Sequence, residues 1–174
     1  MEFEAPVDAW YVWFGVAVAS LAITGVALSL PTQPPPDAAQ AANAIDRVAG
    51  STQVATATVN HAAEEVRLGT SRISMRNDGG TVHATLAFGP VTPVTAVGDA
   101  TARHALQSML HGTPPAEVLG RTSFDALTES ELQQAVASAR ERRRNRGPQW
   151  RQTSGRLRVH SVHLDGELVV LVGS

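Results

Sequence analysis

From Ala9 to Leu30 the chain runs without a charge between Asp8 and Asp37, and only Ser20, Thr24 and Ser29 interrupt its apolar character. As a helix this stretch is about 33 Å long at ~1.5 Å per residue, enough for a hydrocarbon core of roughly 30 Å. A core helix of a soluble domain would usually show a polar face at this length. A cleaved secretion signal would have a basic lead and an apolar core of about 7–15 residues, whereas the lead here, MEFEAPVD, is acidic. The pattern predicts a single membrane span. Trp10, Tyr11 and Trp13 crowd one end, where amphipathic rings favour the headgroup region. Gly15, Ala19, Ala22 and Gly25 are small enough to let a second helix approach. Pro31 and Pro34 to Pro36 end the helix and begin a stiff extended stalk. The expected layout is an acidic lead (1–8), a transmembrane helix (9–30), a Pro-rich stalk (31–37) and a head domain (38–174).

Within the head the periodicity alternates between helical and strand-like. Residues 38–49 read as an alanine-rich helix with Asp37 as N-cap and Gly50 as stop, a spacer continuing the stalk. TQVATATVNHA suggests an extended segment. Ile73 and Met75 alternate with Arg72, Ser74 and Arg76; after the Asn77-Asp78-Gly79-Gly80 turn, Val82, Ala84, Leu86 and Phe88 alternate with His83, Thr85 and Ala87. That is a β-hairpin with one apolar face. Ala102, Ala105, Leu106, Met109 and Leu110 share one face of a helix over about 100–111, capped by Asp99 and stopped by Gly112. Thr113-Pro114-Pro115 reads as a turn. Thr128 and Glu131 form a capping box, with Leu127 and Leu132 as a hydrophobic staple. Leu132, Ala135, Val136 and Ala139 then carry an apolar stripe into an arginine run. A second hairpin turns at Asp165-Gly166, with Leu157 and Val159 on one face, joined there by Ser161 and His163, and a continuous apolar strand over 168–172. The prediction is an α+β head with antiparallel hairpins and two to three helices.

Composition narrows the chemistry. The chain has no cysteine, which excludes disulfides and thiolate sites. It has no lysine either, so Schiff bases and phosphate-loop lysines are excluded and every basic side chain is arginine. The formal charge of −2 conceals a dipole: residues 140–160 carry eight arginines against Glu141. The run RERRRNRGPQWR makes Arg140, Arg142, Arg143, Arg144, Arg146 and Arg151 the candidate interaction residues, suited to an acidic partner protein or an anionic lipid surface. The bland alternative is a solvated helix end that complements the helix dipole.

No catalytic signature accompanies these features. The six histidines show no zincin spacing; His104 and His111 lie where they could share a helix face, and His160 and His163 fall on opposite faces of a strand. There is no G-x-S-x-G, and the glycines of NDGG sit in a hairpin rather than a strand–loop–helix context. No cofactor, metal or catalytic residue is expected.

The stretches FEAPVDAWYVW, LSLPTQPPPDAAQAANAIDRVA and VRLGTSRISMRNDGGTVHATLAFGPVTPV, with RLRV…LVGS at the end, resemble a family of small haloarchaeal membrane proteins without an assigned activity. The resemblance implies a layout similar to pilin-like accessory proteins, with one apolar helix carrying a small α+β head, and implies association with type IV pilus-like assemblies. The lead lacks the basic residue and glycine that precede the apolar helix of a type IV prepilin. The resulting expectation is a single-pass membrane accessory protein acting non-catalytically through protein contacts. Its partners would be the lipid bilayer and other membrane or surface-assembly proteins, with nucleic acid not expected. Two alternatives stand beside it: a tethered binding module using the arginine cluster, and a secreted or tethered enzyme of unknown chemistry. The side of the membrane on which the head lies, and its oligomeric state, stay open.

Overall fold

The computed structural model describes residues 9–29, 33–121 and 127–174, which form two units divided at Thr32 and Gln33. The acidic lead, Leu30 and Pro31 lie outside the described residues. The first unit is helix α1, Ala9–Ser29. Its side chains from Trp10 onward are exposed all round. Two of its hydroxyls are satisfied within the helix: Thr24 Oγ1 donates to the Ser20 carbonyl at 2.8 Å and Ser29 Oγ to that of Val26 at 2.8 Å. With a mean hydropathy of 1.9 over Trp10–Ser29, it is long and apolar enough to cross a membrane.

The second unit is a mixed α+β head. Helix α2 (Ala38–Ala49) is followed by strands β1 (Thr56–Asn60), β2 (Glu65–Leu68), β3 (Arg72–Asn77), β4 (Gly80–Thr85) and β5 (Thr92–Pro93). After a 3₁₀ turn at Val94–Ala96 come α3 (Ala100–Leu110), α4 (Pro115–Leu119), α5 (Glu129–Arg146), β6 (Arg151–Gln152), β7 (Arg156–Leu164) and β8 (Glu167–Gly173). Among the described residues these strands form two four-stranded sheets, ordered β1-β7-β8-β5 and β4-β3-β2-β6. Both expected hairpins are present, β3–β4 and β7–β8, in antiparallel register. The β7–β8 sheet is nevertheless mixed, because β5 joins β8 in parallel. Four α-helices occur among the described residues of the head rather than two to three: Pro115, expected in a turn, is the first residue of α4, where a missing N–H costs nothing.

Helix α2 is not a spacer. Asp37 caps it as expected, accepting from the Gln40 N–H at 2.8 Å, but Ala38, Ala41, Ala42, Ala44, Ile45 and Val48 are all buried. The helix lies between the two sheets, packing on β1 and β7 of one and on β3 and β4 of the other. Alanine explains the geometry, since its short side chain lets a sheet approach each side of the helix. The outer face of the β7–β8 sheet is covered by α3, α4 and α5. Strands β7 and β8 therefore bury both faces: Leu157, Val159, Val170 and Val172 face α2, while Val162, Leu164, Val169 and Leu171 face the other helices.

Two side chains depart from the expected hairpin faces. Phe88 lies beyond the end of β4 and is 55% exposed. Its backbone N–H, with that of Ala87, is held instead by the Asp46 carboxylate of α2. His163 is exposed, while Ser161 is buried and its hydroxyl accepts from the Ala55 N–H at 2.8 Å. In α5 the capping box forms, and the Thr128 N–H and hydroxyl hold the Glu131 carboxyl below its usual range. Residues 33–36 lie against the β3–β4 turn, where Asn77 Nδ2 donates to the Pro34 carbonyl at 3.0 Å and Pro36 is buried.

Candidate functional site

The arginine run ends α5 and then folds back. Gly147 adopts φ 71°, a left-handed conformation that costs glycine least, and turns the chain toward the β4-β3-β2-β6 sheet. Pro148 and Trp150 follow, and β6 pairs with the edge of β2. Alternation decides what this segment meets. Val66, Leu68, Ile73 and Met75 point to α2 and are buried, so Arg67, Arg72, Ser74, Arg76 and Thr85 share the opposite face. Trp150 sits over that face, with the guanidinium carbons of Arg67 and Arg76 at 4.9 and 4.6 Å from its ring centre. Arg76 is also ion-paired to Glu65, directly opposite it across β2 and β3.

The six candidate arginines divide into two groups. Arg140 is withdrawn from the surface, a correction to the expected interaction set. Its side chain is 13% exposed, its Nε donates to Thr92 Oγ1 at 2.8 Å, and a terminal nitrogen lies 3.5 Å from Glu167. Burial holds its pKa below the usual arginine value. Arg143 is half-buried, and its Nε is buried without an acceptor among the described residues. Burial lowers its pKa and the charge of Arg151 lowers it further. Arg142, Arg144, Arg146 and Arg151 are exposed and make no ion pair among the described residues. The division follows helical spacing: Arg140 and Arg143 continue the stripe of Leu132, Val136 and Ala139, a signal already present in the sequence.

Arg143 borders two hollows. The larger, about 410 Å³, is lined by Arg67, Arg72 and Arg143, by the hydroxyl residues Thr70, Ser71, Ser74 and Thr85, and by Gly69 and Pro148. The smaller, about 190 Å³, lies on the other side among Arg142, Arg146, Arg151, Thr95, Ala96, Gly147 and Gln149. Neither is lined by a carboxylate or an imidazole. Arg67, Arg72, Ser74 and Thr85 were not singled out from the sequence. The alternation of β3 places Arg72 and Ser74 on the polar face, but β2 is too short to announce the strand that brings Arg67 beside them.

The histidines serve elsewhere. His160 is buried and its Nδ1–H donates to the Met109 carbonyl at 2.6 Å, tying β7 to α3. His111 Nδ1–H donates to the Gln107 carbonyl of its own helix at 2.7 Å. Among the described residues no group of three or more His, Asp or Glu side chains is placed to hold a metal ion. His61 lies before β2 with its Nε2 buried and without a partner among the described residues. Burial pushes its pKa below the ordinary value. As pH falls through about 6.5 the unfolded chain therefore takes the proton before the folded one does. Stability is full above that value and declines below it. The melting temperature should fall from about pH 7 to about pH 5 more steeply in the native chain than in His61→Gln. Parallel curves would remove His61 as the cause.

Comparison with known proteins adds one finding. Residues 4–162 match the family described as "Family of unknown function (DUF7283)". The chain belongs to this family. No curated protein matches it, nor does any solved structure.

Proposed function

We propose that the protein is a non-catalytic, single-span membrane accessory protein whose head engages an acidic partner protein through Arg142, Arg144, Arg146 and Arg151. The observation that carries this reading is the concentration of these four exposed charges, none with a carboxylate partner among the described residues, on the last turns of α5 and on β6 just beyond it. Elsewhere on the head Arg76 and Arg121 are matched by Glu65 and Glu117, a local neutralisation that these four arginines lack. The neighbouring hollows offer cations and hydroxyls but no group that exchanges protons near neutral pH, which favours binding over catalysis.

In this reading α1 is the membrane anchor, Trp10, Tyr11 and Trp13 sit at the headgroup level, and Gly15, Ala19, Ala22 and Gly25 pack against another span. Residues 31–37 form the connection to the head. The layout is pilin-like, and the resemblance to haloarchaeal membrane proteins makes a pilus-like surface or secretion assembly the setting. Replacing Arg142, Arg144 and Arg146 together by glutamine should abolish co-purification of the acidic partner after cross-linking in intact cells. The melting temperature of the head should stay unchanged, because exposed charges contribute within about 0.5 kcal/mol each. Retained co-purification would discard the docking role. Loss of binding to anionic vesicles, with co-purification intact, would reassign the surface to lipid.

A further inference from the structure

The larger hollow is built differently from the exposed ridge. Its floor is Ser74, only 1% exposed although it is a polar residue on the polar face of its strand. Register places Arg67 directly opposite Ser74 on one side, and Thr85 directly opposite Arg72 on the other. Thr70 and Ser71 close one end from the β2–β3 turn. That turn is held by the Gly69 N–H donating to the Arg72 carbonyl at 2.9 Å, while the carbonyls of Ser71 and Thr70 accept from Leu86 and Val91. Arg143 and Pro148 close the other end from α5. Three arginines thus line one space, from a strand pair and a helix, with no carboxylate among the lining residues, and the Arg67 guanidinium also lies over the Trp150 ring.

Such clustering of arginines is unfavourable by itself. Like charges repel, and a buried guanidinium nitrogen without an acceptor carries a desolvation cost. An oxyanion reduces both penalties, because guanidinium groups offer paired N–H donors matched to its oxygens and hydroxyls complete the shell. We infer that the hollow bounded by Arg67, Arg72, Ser74, Thr85 and Arg143 binds a phosphoryl group carried by a small molecule. The volume of about 410 Å³ supports a phosphate ester or diphosphate rather than a bare ion, since it falls within the ~300–1,000 Å³ usual for small-ligand sites. The four hydroxyl residues favour a ligand with three terminal oxygens over a two-oxygen carboxylate. The inference stands apart from the docking role: Arg142, Arg144 and Arg146 do not line this hollow.

The test is calorimetric titration of the full chain in a non-ionic detergent with inorganic phosphate, pyrophosphate, glycerol phosphate and acetate. Phosphate compounds should bind at least about tenfold more tightly than acetate, and Arg72→Gln or Arg143→Gln should each weaken that binding about tenfold or more. The triple glutamine variant of the ridge should alter it less than about twofold. Arg143→Gln should also melt no lower than the native chain without ligand while losing the rise in melting temperature that phosphate gives, a combination that a purely structural arginine would not show. Should Arg143→Gln fail to fold, the exposed Arg72→Gln carries the test. Preference for glycerol phosphate would identify a lipid-type ester as the source, and preference for pyrophosphate a soluble one; both support the site. Acetate binding as tightly as phosphate, or unchanged phosphate binding in Arg72→Gln, would overturn it.

Discussion

Replacing Val18 and Leu21 by arginine should move the chain from the membrane pellet to the supernatant on alkaline extraction. Both residues lie near the middle of α1 and are exposed. At ~1.5 Å per residue the helix is about 32 Å long, and from Gly15 to Ser29 its only polar side chains are hydroxyl-bearing, of which Thr24 and Ser29 bond to their own helix. Hydrocarbon would meet no unsatisfied donor from these two. Two arginines near the centre would add about 2.5–3.5 kcal/mol each on an insertion scale, together enough to change partitioning by more than about a thousandfold. Ser20→Leu should leave the fractionation as it is. Continued retention of the double arginine variant would mean that something other than α1 anchors the protein.

The second large effect belongs to Ile45. Its side chain is fully buried on α2, between the two sheets. Ile45→Ala should destabilise the head by about 2–5 kcal/mol, against a total stability for a domain of this kind of roughly 5–15 kcal/mol. The gain in helix propensity recovers only a few tenths of that, about 0.5 kcal/mol at most. Thermal unfolding of the full chain in mild detergent, followed by circular dichroism, should show a drop on the order of 10 °C. A change under about 1 kcal/mol would contradict the placement of α2 between two sheets.

What the sequence disclosed and what it hid divide by range of interaction. The stripe of α3, the caps at Asp37, Asp99 and Thr128, and both hairpin turns follow from neighbours within a few residues, and the structure contains each of them. The role of α2 depends on strands that arrive much later. An alanine-rich helix reads equally as a solvated spacer or as a spacer between sheets, and only the sheets distinguish them. The parallel β5–β8 pair rests on two residues, one of them a proline, and has no local pattern. In the candidate site, the arginine run marked the region, while the helical stripe sorted Arg140 and Arg143 from Arg142, Arg144 and Arg146. The contribution of Arg67 and Arg72 required the register of β2 with β3, which sequence spacing alone does not supply.

The pairing of β1 with β7 sets the order in which the head can be made. Thr56 to Asn60 find their partners only at Arg156 to His160, so during synthesis β1 and the apolar face of α2 wait until nearly the whole head has been translated. The β3–β4 hairpin can form early, but the sheet on the other side of α2 cannot, and contacts of such long sequence separation close slowly. A ribosome paused before residue 156 therefore holds a chain whose β2, β3 and β4 can already pair while the β1–β7 side of α2 is uncovered, a state open to aggregation or to chaperone capture.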